Sequence, residues 1–361
     1  MKIAIVHDYL NQFGGAERVV SALHELYPEA PIYTSIYEAK KMPQVFQKMD
    51  IRVSWMQKLP LVFQLFKLYL FFYPLAFASF DLSEYDVILS SSSAFAKGIR
   101  KRGNQLHICY CHTPMRFVWR YKDYVGQESF PDFIKRLLPW LLAPIKKWDL
   151  QNSQSVDFYI ANSQTVADRI KRTYNCESVI INPPVETKIF ALSKLNRDYF
   201  LLVSRLNAYK RVDIVVEAFR QLDLPLKIIG EGPERNNLQK MAGPNIEFLG
   251  RMADRQLRRY LAGSRALVFP GEEDFGIVPL EAMSSGRPVI AFKAGGATET
   301  VIAGETGIFF EQQTVESLME AVKKFQFMTF DKIKIRRYAE KFDKEIFKQK
   351  IMDFIRSKVG Q

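Results

Sequence analysis

Histidine and cysteine are scarce in this chain, which has four histidines and three cysteines among 361 residues. Three cysteines (Cys109, Cys111 and Cys176) cannot build a disulfide framework, so we expect a reducing compartment, the cytoplasm. Cys109 and Cys111 stand near His112, but no second Cys or His pair follows to complete the four ligands of a zinc site. The sequence therefore predicts no bound metal.

Long hydrophobic runs are also missing. The most apolar stretch, Leu59–Phe80, is interrupted by Lys67, and the part after that lysine has 13 residues, against about 20 for a membrane-spanning helix. The first ten residues are typical of a buried strand rather than of a secretory signal. We thus expect no transmembrane helix.

Acidic residues are outnumbered, with 39 acidic against 51 basic side chains and a formal net charge of +12. Such an excess indicates an anionic partner, which the charge alone leaves open: nucleic acid, an acidic lipid surface or a phosphorylated substrate. No DNA- or RNA-binding motif is recognisable, and the basic residues are spread along the chain. We therefore expect no nucleic acid among the partners.

No internal repeat is found, and the length suits two domains. Each half alternates short apolar segments with helical patterns, which is typical of an α/β fold with a doubly wound parallel sheet. We predict a Rossmann-like domain over residues 1–182, a linker over 183–198, a second Rossmann-like domain over 199–340 and an amphipathic C-terminal helix over 341–361.

Two cations stand in one loop of the second half, residues 204–213 (SRLNAYKRVD), between a predicted strand and a predicted helix. Ligands of open α/β sheets bind at such positions. Arg205 and Lys210 would stabilise a diphosphate leaving group, whose negative charge grows as its bond to a sugar breaks. The alternative is a solvated loop with ordinary basic residues.

A second loop leads into a predicted helix with Pro279 at its first position and Gly286 just past its end. The backbone amides of Gly276, Ile277 and Val278 would then form an anion site at the helix N-terminus.

Two glutamates accompany that helix start. Glu273 lies in the preceding loop, where a carboxylate suits sugar hydroxyls, and Glu281 lies in the predicted first helical turn, where it suits a ribose diol. The alternative is that the helix dipole favours Glu281 and that Glu273 belongs to an ordinary acidic surface loop.

Three further loops that follow predicted strands contain candidate site residues. Gly14 and Gly15 would let a ligand approach the backbone, or form a plain tight turn, since a full GxGxxG fingerprint is missing. His112 is either a substrate contact or a structural histidine. Gly295 and Gly296 would present amides to phosphate or acceptor, or form a simple glycine turn.

These segments, in this order, resemble glycosyltransferase family 4, whose members are retaining enzymes with the GT-B fold. The resemblance rests on FGGAE, HTPMR, SRLNAYKRVD, EEDFGIVPLE, AGGATETV and GETG, and it covers nearly the whole chain. The sequence is most similar to bacterial mannosyltransferases of surface polysaccharides such as O-antigen and exopolysaccharide, through VHDYLNQFGGAERV, HICYCHTPMRFVW and EEDFGIVPLEAMSSGRPVIA.

The resemblance implies a set of site residues. The catalytic residues would be His112, Arg205, Lys210 and Glu273. The residues that bind the donor would be Gly14, Gly15, Ser204, Arg205, Lys210, Glu273, Phe275, Gly276, Ile277, Val278 and Glu281. The base would contact Gly230, Arg251 and Met252, and the acceptor side would include Arg116, Gly295 and Gly296.

The resemblance also implies a sugar-nucleotide co-substrate, no metal and no other cofactor. The C-terminal helix would pack back on the N-terminal domain. Retention is attributed to same-face attack in this family, so no nucleophile is expected. The sequence departs from the family pattern at Ser204, where relatives usually carry glycine, and at Arg120, where many carry aspartate. The second departure bears on the identity of the sugar or acceptor.

The leading functional hypothesis is transfer of a hexose, with mannose from GDP-mannose favoured, to a glycan or a polyprenyl-diphosphate-linked acceptor. A UDP-sugar donor, or a GT-B epimerase or phosphorylase, is the alternative. The basic and aromatic region that includes Phe63, Phe66, Lys67, Tyr69, Phe71 and Phe72 would lie against an anionic bilayer or form a buried helix pair.

Overall fold

The computed structural model describes residues 1–121, 132–192 and 197–359, with the backbone alone for 132–136. The chain divides into two compact units. The first unit combines Met1–Pro184 with Phe347–Gln361, and the second is Val185–Ile346. Residues 193–196 of the predicted linker and 360–361 of the predicted C-terminal helix lie outside the described residues.

Seven parallel strands form the sheet of the first unit in the order β3-β2-β1-β4-β5-β6-β7. They are β1 (Ile3–His7), β2 (Ile32–Thr34), β3 (Ile51–Val53), β4 (Val87–Ser92), β5 (Leu106–Cys111), β6 (Phe158–Ala161) and β7 (Ser178–Ile180). The α-helices described in this part of the chain are α1 (Gly15–Leu26), α2 (Val62–Leu65), α3 (Tyr73–Ala78), α4 (Arg116–Trp119), α5 (Asp132–Ser153) and α6 (Gln164–Tyr174).

Both faces of this sheet are covered, which explains why its central strands are almost continuously apolar. On one face Val20 and Leu23 of α1 pack with Ile5 and with Ile351 of the last helix, α14 (Lys344–Val359). The other face packs against the segment that includes α2, α3 and the turn around Phe95.

Six parallel strands form the sheet of the second unit in the order β10-β9-β8-β11-β12-β13. They are β8 (Phe200–Val203), β9 (Leu226–Ile229), β10 (Ile246–Gly250), β11 (Leu267–Phe269), β12 (Val289–Phe292) and β13 (Gly307–Phe310). The α-helices described between Phe200 and Ala339 are α7 (Val212–Leu222), α8 (Arg235–Met241), α9 (Asp254–Gly263), α10 (Ile277–Ser284), α11 (Ala297–Thr300), α12 (Val315–Phe325) and α13 (Lys332–Ala339).

The predicted fold class, two doubly wound parallel sheets with Rossmann-like topology, is confirmed. In each sheet the chain winds outward in both directions from a central pair of strands, β1 and β4 in the first and β8 and β11 in the second. The loops that follow such a pair diverge, which opens a crevice where ligands of this architecture bind. These two switch points place the residues described next.

The start of one helix differs from the sequence expectation, whereas its end agrees with it. Helix α10 begins at Ile277, so Pro279 is its third residue rather than its first. Gly286 follows the cap residue Ser285 with φ +71, the left-handed conformation expected there. Among the described helices, none combines the length and apolar composition needed to span a bilayer.

Candidate functional site

The loops that follow β8 and β11 bring a lysine and a glutamate into contact. The Nζ of Lys210 lies 2.5 Å from Oε1 of Glu273, in a pair whose side chains are 14% and 27% exposed. Because β8 and β11 are the central pair of the second sheet, this contact lies at its switch point. The residues predicted to hold phosphate and sugar are therefore close neighbours.

The other cations of the loop after β8 differ in their surroundings. Arg205 is exposed, and the ammonium of Lys210 stands 5.1 Å from the centre of the Tyr209 ring. Arg211 instead donates from Nε to Asp213 at 3.1 Å and from Nη1 to Gln313 at 3.3 Å. Arg211 thus ties the loop to its neighbours, whereas Arg205 is accessible to an anion.

Two glycines support the loop that carries Glu273 (residues 270–276, the Glu273 loop). The amide of Gly296 donates to the carbonyl oxygen of Glu273 at 2.9 Å. A Cβ at Gly295 would lie 2.3 Å from that oxygen, and one at Gly296 would lie 2.2 Å from Cα of Phe275. This corrects the expectation that the Gly296 amide meets a ligand, because its hydrogen bond is made within the chain.

Gly230 supports the loop of residues 204–211 (the Arg205 loop) in the same way. Its φ is +144, its amide donates to the carbonyl of Gly250 at 3.0 Å, and a Cβ there would lie 1.8 Å from the carbonyl oxygen of Ser204. A residue with a side chain would therefore collide with the Ser204 backbone at this position. A contact between Gly230 and a base stays a prediction, whereas its packing role is visible.

The start of α10 lies beside the Glu273 loop. Gly276, with φ +86, caps the helix, and Ile277 and Val278 are its first residues, so their amides belong to the N-terminal turn. Phe275 is buried at 3% exposure, and its neighbour Gly276 lies close to the ring of Phe269. The loop that leads into the predicted anion site is thus fixed by apolar packing of Phe275 and Phe269.

Glu281 is placed differently from the expectation. It lies in the second turn of α10, because the helix begins at Ile277, and it is 3% exposed. Its predicted ribose contact stays a prediction. Two of the three residues predicted near the base show contrasting environments: Arg251 is exposed, whereas Met252 is half-buried against the core beside Leu249.

In the first unit, the ends of β1, β4 and β5 bring His7, Ser91 and His112 together. The Nδ1 of His7 lies 2.9 Å from the carbonyl oxygen and 3.2 Å from Oγ of Ser91, and that Oγ lies 2.8 Å from Nε2 of His112. On the other side of the His7 ring, Nε2 lies 3.7 Å from Oε1 of Glu17 in α1. Sequence reasoning proposed His112 and missed His7, Ser91 and Glu17.

The His7 and Glu17 pair is almost fully buried, at 2% and 3% exposure. Burial alone would lower the pKa of His7, but its contacts with Glu17, with Asp8 and with the Ser91 carbonyl outweigh that effect and raise the pKa above 6.5. Burial likewise opposes the charge of Glu17, yet His7 and the Gly14 amide lower the pKa of this carboxyl below 4.5. Each of the two shifts therefore favours the charged form of its group.

The glycine turn before α1 serves this pair. The Gly14 amide donates to Oε2 of Glu17 at 2.7 Å, as in a capping box. The Gly14 N–H is thus used within the chain, whereas Gly15 is exposed. Donor binding at these two glycines stays a prediction. The spacing of Gly14 and Glu17 was a signal for the cap, but nothing local indicated the contact with His7.

The chain after His112 is anchored by a buried ion pair. The Nζ of Lys97 lies 2.5 Å from Oδ1 of Asp149, and Oδ2 of Asp149 accepts from Nε1 of Trp119 at 2.6 Å and from the hydroxyl of Tyr174 at 2.8 Å. Trp119 ends α4, and Arg116, predicted on the acceptor side, begins it. This network fixes the short helix that follows His112.

Over the described ranges, no three His, Cys, Asp or Glu side chains are grouped as metal ligands would be. Cys109 and Cys111 are buried in β5 as free thiols. Metal independence stays a prediction.

Two family models match adjoining parts of the chain. The model of Glycosyltransferase Family 4 matches residues 13–189, and the model of glycosyl transferases group 1 matches residues 185–342. The two matches overlap at residues 185–189 and together cover residues 13–342, which contain every strand of the two sheets except β1.

Curated relatives match over shorter stretches. An uncharacterised glycosyltransferase from Methanocaldococcus jannaschii is 27% identical over 49% of this chain and 50% of its own length. A GDP-mannose-dependent monoacylated alpha-(1-6)-phosphatidylinositol monomannoside mannosyltransferase from Corynebacterium glutamicum is 35% identical over 32% of this chain and 35% of its own. The chain thus spans half or less of the length of these relatives.

Solved structures match over the whole chain. The crystal structure of HepE from Anabaena in complex with UDP has a TM-score of 0.74 and 19% identity, and the match covers 99% of this chain and 100% of that one. At this identity the likeness establishes the fold.

Proposed function

Because this chain belongs to the glycosyltransferases that combine these two domains in the GT-B fold, we propose that it transfers a hexose from a sugar nucleotide to a glycan or lipid-linked acceptor. The observation that carries the proposal is the contact between Lys210 and Glu273 at the switch point of the second sheet. In a sugar nucleotide the hexose is bonded directly to the diphosphate. The cation proposed to bind the diphosphate and the carboxylate proposed to bind the hexose are likewise in contact here, as an ion pair.

The proposed chemistry is leaving-group stabilisation. Arg205 and Lys210 hold the diphosphate, whose charge grows as the glycosidic bond breaks, and Glu273 accepts hydrogen bonds from hydroxyls of the transferred hexose. The amides of Ile277 and Val278 add the positive end of a helix. Positive charge from these groups would take the place of a metal in stabilising the leaving group. We propose that the reaction uses no covalent nucleophile and that the configuration of the sugar is retained by same-face attack.

For the donor we favour GDP-mannose over a UDP-sugar. The support is the GDP-mannose dependence of the Corynebacterium relative, which is 35% identical to part of this chain. HepE, in contrast, was crystallised with UDP, but it is 19% identical and supports the fold only. Arg251 and Met252, after β10, remain the candidates for reading the base.

We propose a surface glycan or a polyprenyl-diphosphate-linked oligosaccharide as the acceptor and an anionic membrane as its carrier. The support lies in residues 51–80 (the aromatic segment), which contain no Asp or Glu but include Arg52, Lys58 and Lys67. Leu68, Phe71 and Leu75 in this segment are 75%, 49% and 62% exposed. Arg52 is paired with Asp50, but apolar side chains beside Lys58 and Lys67 suit the surface of an anionic bilayer.

The experiment for this function has two steps. A thermal-shift screen of GDP-, UDP- and ADP-sugars comes first, because a donor at about 100 times its dissociation constant adds about 2.7 kcal/mol of stability. The donor that shifts the melting temperature is then incubated with and without a lipid-linked acceptor, in the presence of a chelator. We expect acceptor-dependent sugar transfer that survives chelation. Donor conversion without acceptor would instead identify an epimerase, and the absence of any shift would refute the donor assignment.

A further inference from the structure

Four buried polar side chains form a continuous row in the first unit: Glu17, His7, Ser91 and His112. Their exposed fractions are all below one tenth, and they come from α1, β1, β4 and the end of β5. The carboxylate of Glu17 faces Nε2 of His7, Nδ1 of His7 faces Ser91, and Oγ of Ser91 faces Nε2 of His112. The row therefore ends on His112, which the resemblance to glycosyltransferase family 4 places among the catalytic residues.

The protons of His7 follow from its partners. The carbonyl oxygen of Ser91 is only an acceptor, so Nδ1 of His7 must carry the hydrogen of their 2.9 Å bond. Nε2 lies 3.7 Å from Oε1 of Glu17, an ion-pair distance rather than a hydrogen bond. This carboxylate favours a second proton on the His7 ring, in agreement with its raised pKa.

The proton of Ser91 follows in turn. Its Oγ lies 3.2 Å from the protonated Nδ1 of His7, so a lone pair of the hydroxyl faces that ring. Within the described chain, the acceptor in reach of the completely buried hydroxyl hydrogen is Nε2 of His112, at 2.8 Å. His112 is then neutral, with its own hydrogen on Nδ1.

The backbone around His112 is held as firmly as its ring. Its amide donates to the carbonyl of Ser92 at 2.9 Å, its carbonyl accepts from Nδ2 of Asn162 at 3.0 Å, and the Tyr110 ring stands 5.2 Å from the imidazole. A neutral histidine in two possible tautomers needs one further constraint, and the Ser91 hydroxyl supplies it.

We propose that Ser91, itself oriented by His7, is a positioning residue that holds His112 in the tautomer with hydrogen on Nδ1, so that it donates from Nδ1 to the transferred sugar. Glu17 favours the doubly protonated form of His7 and is not needed for the tautomer of His112. This inference rests on the proposed function for the role of His112, but the tautomer itself does not. The alternative is a polar cluster that serves only stability.

The chain offers a matched control for this test. Ser90, the preceding residue of β4, places its Oγ 2.8 Å from Nε2 of His107, so a second buried Ser–His pair stands next to the first. Burial lowers the pKa of His107 to about 3, and no proposed role touches it. S90A and S91A therefore each remove a serine hydroxyl of β4 that is hydrogen-bonded to Nε2 of a buried histidine.

Two measurements decide the proposal. In long-range proton–nitrogen NMR spectra of protein labelled at its four histidines, we expect His112 to be neutral with hydrogen on Nδ1 and His7 to be doubly protonated. E17Q should leave the His112 signature in place and remove one proton from His7. An Nε2-protonated His112 in the wild type would overturn the proposal, whether or not sugar transfer is found.

The kinetic measurement uses the donor found above. We expect S91A to lower kcat about ten-fold or more, as loss of outer-shell partners does for ligating histidines, with donor KM little changed. S91T, which keeps the hydroxyl, should recover most of the rate, and S90A should keep the wild-type kcat. Equal rate losses in S90A and S91A, or a normal rate in folded S91A, would show a purely structural cluster. If S91A fails to fold, the rescue by S91T and the NMR signature still decide.

Discussion

Lys210 and Glu273 are 63 positions apart in the chain, yet Nζ of the lysine lies 2.5 Å from Oε1 of the glutamate. The contact exists because β8 and β11 are adjacent and both end at the same edge of the sheet. A ligand that engages both groups must carry negative charge next to hydrogen-bond donors, which describes the diphosphate and hexose of a sugar nucleotide.

Removing the charge of Lys210 tests its role in departure of the diphosphate. We expect K210M to lower kcat by about 100-fold, the typical cost of losing one well-placed donor to a developing charge. The matched control is K227M, because Lys227 also pairs with a glutamate on the adjacent strand, Glu247, but near the opposite end of the sheet. Wild-type kcat in K210M, or an equal loss in K227M, would contradict the assignment.

Gly296 tests the support of the Glu273 loop. In G296A the new Cβ would overlap backbone atoms of Phe275, so we expect a loss of about 1–3 kcal/mol in the free energy of unfolding and weaker donor binding. The control is G304A, where φ is +82 and nothing lies within 4 Å, so strain of about 1–2 kcal/mol arises without a clash. Calorimetric titration with the donor should separate them. Donor affinity that falls equally in G296A and G304A would contradict the role of Gly296 in supporting the Glu273 loop.

The sequence predicted the sheets, and it placed the candidate site residues in loops after strands, because strand ends and short motifs are local patterns. SRLNAYKRVD and EEDFGIVPLE place Arg205, Lys210 and Glu273 in loops after strands, and parallel strand order then brings them together. What packs under those loops is not local. Gly230 and Gly296 lie against backbone that is more than 20 residues away in the chain, so their packing against these loops could not be predicted from local patterns.

The same limit applies to the first unit. His112 follows a strand and could be proposed from sequence, but its partner Ser91 comes from a neighbouring strand 21 residues earlier. Glu17 looks like an ordinary helix cap until the fold places His7 beside it. Buried polar contacts of this kind depend on the order of strands in the sheet, which periodicity does not determine.

The buried pair of His7 and Glu17 predicts a defined pH dependence of stability. The raised pKa of His7 contributes stability that is complete below 6.5 and is lost as the pH rises through the folded-state value. The lowered pKa of Glu17 contributes stability that is complete above 4.5 and is lost as the pH falls through its folded-state value. The difference in unfolding free energy between wild type and H7Q should therefore be largest between about pH 4.5 and 6.5. Denaturant titrations across pH 4–9 measure it, and a constant difference would contradict the charged pair.

The aromatic segment predicts binding to anionic membranes. We expect the wild type to float with vesicles containing phosphatidylglycerol at low salt, and L68S/F71S to bind about ten-fold or more weakly, because each side chain contributes about 1.5–3 kcal/mol when buried. The control is F327S, since Phe327 is 92% exposed and lies in the second unit. Flotation of the double variant at wild-type levels would exclude this segment as the contact.

The most direct test of the central claim is diffraction from crystals grown with GDP or UDP, together with the same crystals of K210M. We predict a diphosphate between Arg205 and the start of α10, in contact with Lys210, and its loss or displacement in the variant. A nucleotide bound elsewhere, with the groups around Lys210 and Glu273 unchanged, would contradict the account.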